Sequence, residues 1–124
     1  MRSARALRLA PLAMILFIAG CSSSNKGKIE VTKWTSQPAT IKGKSYAAGA
    51  LHLDFGGDGS LVYKTPNGDF RGSYSLGTFN FVSFHLDRAL PNGMKDMTET
   101  IRINGNQMTV RDLDGTEVTF TKDP

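Results

Sequence analysis

Four dipeptides constrain this chain more than any other feature: Asp58-Gly59, Asn67-Gly68, Asn104-Gly105 and Asp114-Gly115. Each accepts positive φ in a tight hairpin turn, and each separates two short runs in which apolar and polar residues alternate. Leu51, Leu53 and Phe55 share one face while His52 and Asp54 take the other. Ile101 and Ile103 oppose Thr100 and Arg102, Met108 and Val110 oppose Thr109 and Arg111, and Val118 and Phe120 oppose Thr119 and Thr121. A period of two means strands with one buried and one wet face, as in antiparallel sheets. From Ile29 onward no segment has the period of a helix. The pattern predicts about eight strands, near 29–35, 49–56, 60–65, 69–76, 79–87, 97–104, 107–112 and 116–122, with Pro91-Asn92-Gly93 in a longer loop. Short strands at this spacing form a sandwich or barrel. A run of hairpins closes most simply as an all-β, antiparallel up-and-down barrel, because closure removes the unpaired edges.

The first twenty residues follow other rules. Arg2, Arg5 and Arg8 give a positive start without an acidic residue, and an apolar stretch runs from Leu9 to Ala19. This is shorter than the ~20 apolar residues of a membrane-spanning helix and has the parts of a secretory signal. It ends in Ile18-Ala19-Gly20-Cys21, which resembles the lipobox of bacterial lipoprotein precursors. The resemblance implies removal of residues 1–20 as a signal peptide and a diacylglyceryl group on the thiol of Cys21. Cys21 is the only cysteine in the chain, so no internal disulfide can form. Ser22, in place of the aspartate that retains such proteins in the inner membrane of enteric bacteria, implies outer-membrane sorting, facing the periplasm, if the host is diderm. Residues 21–28 then read as the lipidated cysteine and a flexible polar tether, with the all-β domain at 29–124.

Charge narrows the partners. Three of the fifteen Lys and Arg residues lie in the expected signal, leaving twelve against eleven Asp and Glu. A near-neutral domain without a basic stretch is not expected to bind nucleic acid. The expected membrane contact is through the lipid on Cys21.

Within 29–122, the succession of Trp34, Phe55 with Asp58-Gly59, Gly72-Ser73-Tyr74, Ile103-Asn104-Gly105-Asn106-Gln107-Met108 and Asp114-Gly115-Thr116-Glu117-Val118-Thr119-Phe120-Thr121-Lys122 resembles the small bacterial lipocalin-like lipoproteins. Thr32-Lys33-Trp34 stands where that family usually has Gly-x-Trp. The resemblance implies a lipocalin-like barrel and no particular chemistry.

The residues themselves point away from catalysis. No G-x-S-x-G elbow, P-loop or dinucleotide fingerprint is present, so neither an enzyme nor a bound cofactor is expected. The only histidines fall in His52-Leu53-Asp54 and His85-Leu86-Asp87. If their strands were neighbours, His52, Asp54, His85 and Asp87 could meet a zinc ion. Both pairs sit opposite leucines, which favours a plain solvated face. Tyr63, Tyr74, Phe79 and Phe81 crowd the middle strands and are the candidate ligand-binding residues, since an eight-stranded barrel can hold one small ligand. Trp34 is expected to plug the barrel base. The Arg88–Thr98 loop, with Met94 and Met97, is the candidate adaptable contact surface. Two functions follow: a module binding a small apolar or amphipathic ligand, or a solid barrel that contacts or inhibits another envelope protein.

Overall fold

The computed structural model describes residues 23–124. The expected signal peptide at 1–20 and the lipidation site Cys21 lie outside the described residues. Ten strands form among the described residues: β1 (Thr32–Ser36), β2 (Ala39–Ile41), β3 (Lys44–Tyr46), β4 (His52–Phe55), β5 (Ser60–Thr65), β6 (Gly68–Leu76), β7 (Phe81–Leu86), β8 (Asp96–Asn104), β9 (Gln107–Arg111) and β10 (Glu117–Lys122). Eight of them close a barrel in the order β1-β10-β9-β8-β7-β6-β5-β4, and β2 and β3 form a separate hairpin. Every pairing is antiparallel and between chain neighbours, apart from the closing pair β1–β10 and the step from β1 to β4 across the inserted hairpin. The described residues are all-β, an eight-stranded antiparallel up-and-down barrel with an inserted hairpin, as the alternation predicts for the barrel.

The register sets the two faces. Trp34 lies opposite Leu53, Leu53 opposite Tyr63, Tyr63 opposite Phe70, Tyr74 opposite Phe84, and Ile103 opposite Met108. Directly paired residues share a face, so these side chains all point inward. Trp34, Phe55, Leu61, Phe70, Val82, Ile101 and Met108 are almost wholly buried.

The two ends of the barrel differ. The β4–β5, β6–β7 and β8–β9 turns gather at one end, together with both chain ends of the described segment. This end is shut. The Ser24 N–H donates to the Phe79 carbonyl at 2.7 Å, and the Asn25 side-chain amide donates to the Ile101 carbonyl at 3.1 Å. Ile29 is fully buried against the core. The Trp34 indole N–H donates to Thr32 Oγ1 at 2.8 Å, and the Thr32 hydroxyl in turn donates to the Ile29 carbonyl. Trp34 is therefore the plug expected of it, and its one polar atom is satisfied.

The same contacts involve the described part of the expected tether, residues 23–28. Ser23 and Ser24 bond to the Phe79 carbonyl and the buried Asn25 to the Ile101 carbonyl, whereas Ser24, Lys26, Gly27 and Lys28 remain exposed. The expected first strand, 29–35, begins only at Thr32, since Val31 takes positive φ (59°) and interrupts the extended backbone.

Candidate functional site

The opposite end is open. It carries the β5–β6 turn, the long β7–β8 connection, the β9–β10 turn and the inserted β2–β3 hairpin. The concavity there has a volume of about 1040 Å³, just above the roughly 300–1,000 Å³ typical of ligand sites. Leu53, Leu61, Val110, Val118 and Phe120 give it apolar walls, to which Tyr74 and Phe84 add aromatic surface. Ile41, Lys42, Lys44 and Tyr46 of the hairpin, with Leu90 and Met94 of the β7–β8 connection, surround the mouth. The concavity continues over the rim to the outer face of β6–β7, where Ser73, Ser83 and His85 border it. The volume therefore counts interior and rim together.

Local sequence explains the hairpin that forms part of the mouth. Lys42 and Gly43 both have positive φ (50° and 83°), the backbone of a two-residue hairpin loop. The Lys42 ammonium pairs with the Asp114 carboxylate on the β9–β10 turn, which fastens the hairpin tip across the rim. Hydrogen bonding to Asp112 and to Lys42 holds the Asp114 carboxyl well below the usual carboxylate range. Lys42 is raised in turn, first by that hydrogen bond.

Polar groups inside are few. Glu99 of β8 lies opposite Val82 in the register, and Val82 is wholly buried. A carboxyl group therefore projects into an apolar interior. Burial pushes it up to about 7, with Asp112 and Asp114 adding to the shift. The Tyr63 phenol is pushed up to about 12, chiefly by burial and then by Tyr46 and Glu99. Tyr74 is turned toward the closed end, where its hydroxyl donates to the Gly56 carbonyl at 2.7 Å and its ring stands edge-on to Phe55.

Of the four aromatic residues expected to bind ligand, Tyr63 and Tyr74 line the cavity. Phe79 and Phe81 do not. Val82, Phe84 and Leu86 take the inward positions of β7, so Phe81 faces outward and is 45% exposed. Phe79 sits in the β6–β7 turn at the closed end with φ of 54°, which turns it out to 63% exposure. The inward residue is Phe84. Its parity was legible: if His85 faces water, Phe81 does too.

The two histidine pairs are kept apart. β4 and β7 are separated by β5 and β6, so His52 and His85 are not on neighbouring strands. His52 meets the Thr35 hydroxyl at 3.2 Å, and Asp54 lies 3.9 Å from Lys33. His85 pairs with Asp96 across β7–β8, and Asp87 is exposed where β7 ends. Within the expected contact loop, Met94 is exposed at the mouth, whereas Met97 belongs to β8 and faces inward opposite Phe84.

Glu99 and the lid-like hairpin escaped the sequence reading. Glu99 precedes Ile101 by two positions, and that parity was the available signal. For the hairpin, Thr40-Ile41 and Tyr46 flank Gly43, but Lys-Gly is a weaker turn cue than Asn-Gly or Asp-Gly.

Comparison of the chain with protein-family models, curated proteins and solved structures returned no match.

Proposed function

We propose that this protein is a lipid-anchored lipoprotein of the bacterial cell envelope whose lipocalin-like barrel holds a small apolar or amphipathic ligand. The observation that carries the reading is the open, apolar-walled concavity that runs from the barrel interior over its rim, about 1040 Å³ in all. A solid barrel acting only through its loops would have packed that space, as protein interiors normally do. The anchor rests on the Ile18-Ala19-Gly20-Cys21 motif. Ser23 is docked at the closed end, so a lipid two residues before it holds that end toward the bilayer. The mouth then faces away from the membrane and toward the aqueous compartment.

Native mass spectrometry tests the pocket on Ser23–Pro124, which contains every strand of the barrel and its buried core. The expected result is one retained or added molecule of lipid-like mass, lost in Val118→Trp, which fills the wall. A bare mass after mixing with dodecanol, dodecylamine and dodecanoate overturns the pocket. Acyl mass on Cys21 of the protein from bacterial membranes, absent in Cys21→Ser, tests the anchor.

A further inference from the structure

We infer that the cavity selects ligands carrying a cationic amine head on an apolar tail, with Glu99 as the group that pairs with the head. This rests on the pocket reading above and adds a ligand class to it.

The inference begins from what surrounds one carboxyl group. Glu99 points into the barrel between Met97 and Ile101 of its own strand and lies opposite the wholly buried Val82 of β7. Other ionisable groups share its surroundings. Tyr63 approaches from β5, its phenol pushed up to about 12, and Tyr46 of the hairpin lines the same cavity. Asp112 and Asp114 stand at the β9–β10 turn and disfavour its charge. The cations at this mouth are Lys42 and Lys44 of the hairpin. Lys42 is held by Asp114, and Lys44 stacks over the Tyr46 ring with its Nζ 5.4 Å from the centroid. Among the described residues, no ion pair reaches Glu99.

A carboxylate inside an apolar cavity without a counter-charge is costly, and the cost falls when a cation enters beside it. The surrounding walls fit an alkyl or other apolar tail, and Tyr63 adds a hydroxyl beside the head. An anionic head would meet three carboxyl groups and displace two committed lysines. A neutral alcohol would leave the carboxylate without a charge partner. The arrangement therefore discriminates by charge at the head and is permissive along the tail.

The test compares dodecylamine, dodecanol and dodecanoate, each below its micelle concentration, by calorimetric titration of Ser23–Pro124 at pH 8. The expected result is that dodecylamine binds at least about tenfold more tightly than the other two, a difference of about 1.4 kcal/mol. Glu99→Gln should abolish that preference, bringing dodecylamine affinity down to that of dodecanol. Glu99→Asp, which keeps the charge, should restore part of it. Amine affinity should rise from pH 6 to pH 8 in the native protein as Glu99 ionises, and stay flat in Glu99→Gln, since an alkylamine remains charged across that range. Equal binding of all three probes, unmoved by Glu99→Gln, overturns the inference and leaves the pocket standing. Tightest binding of dodecanoate also overturns it and transfers the head to Lys42 and Lys44. Binding of none of the three removes the pocket and the inference together.

Discussion

Gly72 has no room for a methyl group. A Cβ built there would fall 1.9 Å from the His85 carbonyl oxygen, because the main chain of β7 passes through the space a side chain would occupy. Gly72→Ala should therefore cost about 3 kcal/mol, the upper part of the range for overpacked sites, as read from urea unfolding. Trp34→Ala acts in the opposite sense, opening a void behind the plug, and should cost about 3–5 kcal/mol. Glu99 has a different signature. Its carboxyl is raised by burial from 4.5 to about 7, so the folded state holds the proton more tightly than the unfolded chain does. Stability is then lost as pH rises from about 4.5 through about 7. Glu99→Gln, which is not ionised, should gain relative to the native protein between pH 5 and pH 8. The expected gain is on the order of 1–2 kcal/mol once the group's partial solvent access is allowed for. Thermal melts at the two pH values check it, and an equal gap at both would contradict it.

Among the elements, the eight barrel strands were legible because their alternation and their Gly-containing turns agree. Strand β5 has the same bounds in sequence and structure, and β6, β8, β9 and β10 differ by one residue at an end. The two Asp-Gly hairpins also read alike, each with an Asp side chain accepting from the N–H two residues on. Yet they lie at opposite ends of the barrel, so their likeness is turn chemistry alone. The inserted hairpin stayed hidden because three-residue strands carry too little alternation to register. Residues 21–28 read as a lipidated cysteine and tether because they are polar, and nothing in composition reveals that Asn25 among them serves a buried carbonyl. The latch between Lys42 and Asp114 gives the hairpin its own prediction. Lys42→Ala should speed amide hydrogen exchange across Thr40–Tyr46 while leaving the barrel strands protected. Unchanged exchange in the hairpin would show that packing by Ile41 and Tyr46 alone holds it.

For the molecule as a whole, the two ends have different surfaces. The closed end exposes Phe79 and Val31 beside the point where the N-terminal segment arrives, and the open end presents the cavity. With Cys21 carrying lipid, a fluorophore placed by Phe79→Cys should be quenched by nitroxide-labelled lipids in vesicles. One placed by Leu113→Cys, on the β9–β10 turn at the mouth, should not. Equal quenching would mean that the barrel lies on its side or tumbles.

The central claim is that the barrel interior is space a ligand can enter. The direct measurement is a methyl-detected NMR titration of Ser23–Pro124 with dodecylamine. The account predicts shifts confined to Leu53, Leu61, Met97, Val110 and Val118, with Val31 and the outward Val62 unmoved. Shifts at Val31 and Val62 with the interior methyls silent would place the amphiphile on the outer surface and contradict it.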